Sequence, residues 1–286
     1  MTALPRIARS LWTCAAATAV LATLAGTAHA DATLDKIKAN KDVTIGVLLN
    51  GGPTGSIDPS NQRFIGWNPE LARQLARELG VSATLVQVQP SNRVQFLQSG
   101  KVDLLIASIE WNADRGAIMG FAPTPFYKVG GTAIARKGSG ITRWEDLRGK
   151  PVCASQGGSY ARILGSEYGV QVKGFKGSAE ALLALRGGNC VASVHDTTLI
   201  HPLLKTNADW KDYEAPIALP LGEAPSVVWT RKGENDTIAA VDQIIQGWHR
   251  TGWLIETEKR LGITPALPAL VELQQQFQSP QKTAAK

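Results

Sequence analysis

The 286-residue chain carries 30 Lys+Arg against 24 Asp+Glu, a formal charge of +6, and 44% of its residues are hydrophobic. That composition excludes a disordered polyelectrolyte and supports a folded core. The 28 Gly and 15 Pro are spread along the chain, which excludes collagen-like and coiled-coil architectures and predicts many turns between short elements.

Residues 1–30 read as a secretory leader. Arg6 and Arg9 form its positive start, Leu11 to Leu24 its apolar stretch, and Ala28-His29-Ala30 a small-x-small cleavage motif. The apolar stretch is shorter than the ~20 residues a membrane span needs, and nothing later is long enough to cross a bilayer. Removing 30 of the 286 residues leaves 256, and since two basic residues go with the leader, 28 remain against 24 acidic ones, a balance of +4. This mild charge forms no basic stripe, so nucleic acid is not expected as a partner. Cys14 lies inside the leader in a poor lipidation context, so no lipid anchor is expected. The mature chain keeps Cys153 and Cys190, which in an exported protein favour one disulfide, with two buried free thiols as the alternative.

Val43 to Leu49 reads as a strand, followed by a turn-rich loop from Asn50 to Asn61. In the next segment Asn68 is a candidate cap and Pro69 a first helical residue. Leu71, Leu75 and Leu79 repeat every four residues and Gly80 ends the pattern, which predicts an amphipathic helix. Thr84 to Val88 reads as a strand, Asn92 to Gln98 as a short helix, and Val102 to Ala107 as a strand buried on both faces. A second alternation starts past Lys128: strand Pro151 to Ala154, helices Ser159 to Tyr168 and Ala179 to Arg186, and strand Cys190 to Val194. Ser226 to Thr230 reads as a further strand and Asp236 to Arg250 as a helix with Ile238, Val241, Ile245 and Trp248 on one face. Beyond Pro265 the Ala-, Pro- and Gln-rich sequence predicts a frayed tail. Two such series predict two α/β lobes, each with a mostly parallel sheet.

Open α/β sheets bind ligands beyond the carboxyl ends of their strands, where helix starts offer free N–H groups. Three such places carry polar residues. The segment Ser108-Ile109-Glu110-Trp111-Asn112-Ala113-Asp114-Arg115 sets Asn112 to cap a helix bearing Arg115. The turn Ser155-Gln156-Gly157-Gly158-Ser159 opens a helix, and the strand ending at Val194 delivers His195 and Asp196. A cation, an anion-friendly helix start and a strand-end acid are the parts needed to hold a zwitterion.

These motifs stand in the order found in bacterial extracellular solute-binding proteins of family 3, which the chain resembles from about Leu34 to Gly262. The segments that carry the resemblance are GWNPELARQLARELG, SNRVQFLQSGKVDLLIASIEWNADR, FAPTPFY, EDLRGKPVCASQGG, ALLALRGGNCVASVHD and DQIIQGWHRTGWLIETEKRLG. The resemblance implies a two-lobed periplasmic binding protein (type II) with a central sheet in each lobe and a two-strand hinge, near Tyr127 to Gly131 and Leu221 to Ser226. Lobe 1 would comprise 31–127 with 224–264, lobe 2 128–223, and 265–286 the tail. It further implies a soluble periplasmic monomer that captures an amino acid or related zwitterion by hinge closure and delivers it to an inner-membrane ABC permease. By the same resemblance Arg115 would clamp the α-carboxylate, Ser159 with Gly157 and Gly158 would add donors, and Asp196 would take the ammonium. Ser108 would line the pocket and Arg93 would reach the solute's side chain.

Glu110 and Asn112 depart from the family pattern, which has hydroxyl residues there. A carboxylate near Arg115 would neutralise it and favour a solute with a cationic or hydroxyl-rich group; alternatively Glu110 turns outward to a surface cation. An enzyme resembling the dehydratases of this group is the competing class, but Ala161 stands where those carry their acid. No metal-ligand spacing is present, since His195, His201 and His249 are isolated, and no cofactor is expected.

Overall fold

The computed structural model describes residues 31–263 and 268–278; the expected leader and its cleavage site lie outside them. In chain order the first stretch runs α1 (Ala32–Asn40), β1 (Asp42–Leu48), β2 (Ser56–Ile57), β3 (Phe64–Ile65), α2 (Trp67–Glu78), β4 (Ser82–Val88), α3 (Arg93–Gln98), β5 (Leu104–Ile106), α4 (Ala113–Ile118) and β6 (Gly120–Phe121). β7 (Tyr127–Arg136) leads into the second: β8 (Pro151–Ser155), α5 (Ser159–Ser166), β9 (Gln171–Phe175), α6 (Ser178–Arg186), β10 (Ala192–Asp196), α7 (Thr197–Thr206) and β11 (Tyr213–Glu214). β12 (Leu221–Ser226) returns the chain to the first lobe, where β13 (Trp229–Thr230), α8 (Asn235–Thr251), α9 (Trp253–Arg260) and α10 (Pro268–Gln278) follow.

Each lobe is built on its own sheet. The first has the order β4-β1-β5-β13-β6, with β4, β1 and β5 parallel and β13 and β6 antiparallel. The second has the order β11-β7-β10-β8-β9, with β10, β8 and β9 parallel and β7 antiparallel to β10 and β11. Both sheets are therefore mixed rather than mostly parallel: a parallel trio takes the helical crossovers, and antiparallel strands are added where the chain leaves and re-enters a lobe. β7 and β12 pair with each other from Gly131 opposite Leu221 to Tyr127 opposite Ser226, with a register shift between Leu221 and Ala224. The glycines that obscured β7 in the sequence are required by packing. A Cβ on Gly130 would lie 2.6 Å from Pro220 Cβ, and one on Gly131 would lie 2.9 Å from the Tyr160 ring.

In α2, Leu71 and Leu75 are fully buried in the first core beside Ile45, Val47 and Trp248. Each such side chain stabilises the fold by about 1.5–3 kcal/mol. Gly66, at φ 105°, takes the cap position expected of Asn68, and Pro69 is the third helical residue. Asn68 is instead buried in the first turn, where its amide donates to the Leu48 carbonyl (3.3 Å) and Ser108 Oγ (3.2 Å). The second core gathers Ala133, Leu147, Val152, Leu164 and Val194. Cys153 and Cys190 form a disulfide with a Cα–Cα distance of 5.8 Å. The expected frayed tail is corrected over 268–278. There α10 buries Leu270 in the first core, and Phe277 stacks on His249 with centroids 5.0 Å apart. Leu270, Leu273 and Phe277 keep helical spacing within a composition that otherwise reads as loop.

Candidate ligand-binding cleft

β5 from the first sheet and β8 and β10 from the second end on one space. Past β5, Ser108 turns through φ 47° and Glu110 pairs with Ser226 of β12 as an isolated bridge. Asn112 then caps α4, its Oδ1 accepting from the Arg115 N–H at 2.9 Å. Past β8, Gly157 adopts φ 75° and Gly158 begins α5 without a side-chain cap, which leaves first-turn N–H groups available. β10 ends on Asp196. Together these ends enclose an open-mouthed cleft of about 440 Å³.

Of the residues expected at the site, Arg93, Ser108, Glu110, Gly158, Ser159 and Asp196 line this cleft, whereas Gly157, Asn112 and Arg115 are not part of its lining. Arg115 and Asp196 do not oppose one another across an open gap. The Arg115 guanidinium forms an ion pair with Glu110 Oε1 at 2.8 Å and donates to the Glu110 carbonyl at 3.0 Å and the Gly157 carbonyl at 3.3 Å. Glu110 is buried, not turned out to a surface cation. Burial opposes its ionisation, but Arg115 and then Arg93 outweigh it, and the carboxyl is held below its ordinary range.

Arg93 is the arginine that shares the lining with Asp196. Its Nη1 donates to the Ala107 carbonyl at 3.0 Å. Burial and the like charge of Arg115 lower its pKa to about 10, so it stays cationic at neutral pH. Asp196 accepts a 2.8 Å hydrogen bond from the Tyr160 hydroxyl. Burial raises the Asp196 carboxyl to about 6; Glu110 adds to that rise, while the Tyr160 bond and Arg93 oppose it. Burial and the Asp196 charge push the Tyr160 phenol well above its usual range, so it remains a neutral donor. His195 also lines the cleft, but burial lowers its pKa to about 3, and its Nε2 lies 2.7 Å from Ser193 Oγ. A histidine so depressed is a poor general base near neutral pH.

The two lobes touch directly around this cleft. Besides the bond from Arg115 to Gly157, Asn112 Nδ2 lies 3.4 Å from Ser159 Oγ, and a Cβ on Gly157 would fall 2.5 Å from the Pro90 carbonyl oxygen. Among the described residues no group of three or more His, Cys, Asp or Glu is arranged to hold a metal ion, and no helix is long and apolar enough to cross a membrane.

The family model for bacterial extracellular solute-binding proteins, family 3, matches residues 43–262. The chain belongs to this family. Among its relatives, the L-cystine-binding protein of Escherichia coli is 28% identical over 77% of this chain and 82% of its own length. The glutamine-binding protein of a Bacillus subtilis ABC transporter is 25% identical over 71% of this chain and 74% of that relative. Among solved structures, a cysteine-binding protein from Campylobacter jejuni superposes with a TM-score of 0.75 at 27% identity, covering 80% of this chain and 92% of that one. An ancestral amino acid-binding protein described as a precursor of cyclohexadienyl dehydratase shares the fold, with a TM-score of 0.71 at 22% identity over 80% of this chain and 99% of that one.

Within this solute-binding protein of family 3, sequence reasoning missed Tyr160, Asn50 and Ser178 on the cleft wall. Tyr160 had a usable signal. It is the second residue of α5, directly after the glycine turn, and the start of a helix that faces a ligand presents its first-turn side chains to it. Asn50 had none, because its loop has no period that fixes a direction.

Proposed function

We propose that this protein is the periplasmic receptor of an ABC importer and captures an amino acid or a closely related small zwitterion between its two lobes. The moving bodies are 31–127 with 224–264 and 128–223, and the crossover strands β7 and β12 are the hinge. The solute's ammonium lies between Asp196 and Glu110, and its carboxylate lies toward Arg93 and the free amides at the start of α5. Arg115 positions Glu110 and takes no part in the carboxylate clamp. The protein works as a monomer and hands its solute to an inner-membrane permease.

The observation that carries this reading is that the first lobe brings Glu110 and the buried Arg93, and the second lobe Asp196, to the lining of one cleft. A few charge-assisted hydrogen bonds of about 1.5–3 kcal/mol each are enough for micromolar capture. The relatives' own names point to amino acids and to ABC transport. The test is mass spectrometry of solute co-purified with the native protein, followed by thermal-shift screening of wild type and Glu110→Ser against amino acids, opines, polyamines and betaines. Wild type is expected to be stabilised by at least one zwitterion, and Glu110→Ser to change the ranking by freeing Arg115 for a carboxylate. No response to any amino acid or zwitterion would refute the proposal, and an unchanged ranking would remove Glu110 from it.

A further inference from the structure

Behind the cleft, on the side of the crossover strands, lies a second, smaller cavity. Its wall includes Trp67 from α2, Thr198 from α7 and Ser226 from β12, one residue each from the first lobe, the second lobe and the crossover. These side chains are only 3%, 6% and 1% exposed. Trp67 Nε1, Thr198 Oγ1 and Ser226 Oγ have no hydrogen-bond partner among the described residues. A buried polar atom left unpaired costs about 1–3 kcal/mol, so three around one cavity point to an occupant that satisfies them.

The chemistry of the wall restricts that occupant. The indole N–H only donates, while the two hydroxyls both donate and accept. No charged side chain is part of the lining, and the nearby Tyr127 hydroxyl is committed to Glu258 Oε1 at 2.6 Å. An ion placed there would lose its hydration without a compensating charge. A neutral polar group would not.

The cavity also abuts the cleft. Ser108 lines both spaces, and Thr54 on the second wall donates at 2.7 Å to Asn50 on the first. Ser108 holds a φ of 47°, a conformation that disfavours a side chain and recurs at ligand-contacting positions.

We propose that the second cavity is a subsite for the uncharged, hydrogen-bonding end of the captured solute, a carboxamide or hydroxyl group. This rests on the functional reading above, in which the charged end of the same solute occupies the cleft. Trp67 donates to the oxygen of that neutral group, and the Thr198 and Ser226 hydroxyls accept its N–H or O–H. Because the three side chains come from both lobes and the crossover, the subsite is complete only when the lobes are shut. The neutral end of the solute therefore adds to the drive for closure.

The test is calorimetric titration of the mature chain, residues 31–286, with L-alanine, L-glutamine and L-homoleucine. Homoleucine matches the shape of the glutamine side chain without its polar atoms. Glutamine is expected to bind more tightly than homoleucine by about tenfold or more, because an apolar isostere leaves the wall unpaired. Trp67→Phe and Ser226→Ala are each expected to shrink that ratio by about threefold or more and to leave L-alanine affinity within about twofold, with circular dichroism confirming that both variants fold. Equal binding of glutamine and homoleucine by wild type, or a ratio that survives in both folded variants, would overturn the subsite while L-alanine binding leaves the functional reading intact. Failure of all three probes to bind would overturn the subsite, and the functional reading falls with it only if the wider screen of amino acids and zwitterions also gives no response.

Discussion

Asp196 sets up a conflict between capture and stability that one substitution exposes. Folding raises its carboxyl from 3.8 to about 6, chiefly by burial. A group with a raised native pKa binds its proton more tightly in the folded chain, so its ionisation between about pH 4 and pH 6 removes stability as the pH rises, and below pH 4 the penalty is absent. A shift of about 2 units corresponds to about 3 kcal/mol. The carboxyl is only half-buried and keeps a face on the cleft, where water screens it, so the expected penalty is about 1–2 kcal/mol. Asp196→Asn removes that penalty and retains an oxygen to accept the Tyr160 hydroxyl. It should raise the unliganded melting temperature at pH 7.5 by about 5 °C, with the difference from wild type vanishing toward pH 4. Parallel thermal and urea unfolding of both proteins across this range measures it. A variant less stable than wild type at pH 7.5, or a difference independent of pH, would show that Asp196 is not held as an unfavourable charge.

The same carboxyl predicts that capture of a zwitterion weakens as the pH falls through 6. Affinity measured calorimetrically at pH 5 should be lower than at pH 7.5 by about tenfold, and a flat profile would remove Asp196 from the ammonium seat. Gly157→Ala places a Cβ 2.5 Å from the Pro90 carbonyl at a φ of 75°, whereas Gly177→Ala meets only the end of the Gln89 side chain, at 2.7 Å. The first should hold the lobes apart in small-angle scattering and weaken binding by more than about tenfold, the second by less than about threefold, since a flexible side chain moves and a backbone does not. Reducing the Cys153–Cys190 bond, which closes a separation of 37 residues, should lower unfolding free energy by about 4 kcal/mol in urea. Both cysteines belong to the second lobe, so affinity per folded molecule should be unchanged; a change would show that the bond couples to closure.

Much of this arrangement was legible because its signals are periodic. Leu71 and Leu75 marked the buried face of α2, the apolar run before Ser108 marked a central strand, and the strand-end rule led to three loops that do converge on one cleft. The failures have separate causes. The resemblance reaches strand β7 only from Tyr127 to Gly131; two adjacent glycines demanded by its neighbours interrupt its apolar pattern, so its continuation to Arg136 shows only in the folded chain. Asn68 has the chemistry of a cap, yet its amide is needed between Leu48 and Ser108, and tertiary bonding overrides local preference. The direction of Arg115 could have been inferred. Side chains in a helix lean toward its start, and an arginine in the first turn of α4 is thereby led back onto Glu110. Expecting it to face Asp196 gave position in the chain more weight than the direction of the Cα–Cβ bond.

The bonds from Arg115 to the Gly157 carbonyl and from Asn112 to Ser159 join the two lobes through protein atoms alone. In the receptor proposed above, a latch of this kind would let the empty form shut on its own for part of the time. Solute then meets some molecules already pre-shaped, and the observed affinity is the intrinsic one scaled by that fraction. Loosening the latch would slow no chemistry and remove no contact to the cargo, yet it would make the receptor a weaker trap. Tightening it would raise the share of molecules that are closed and empty.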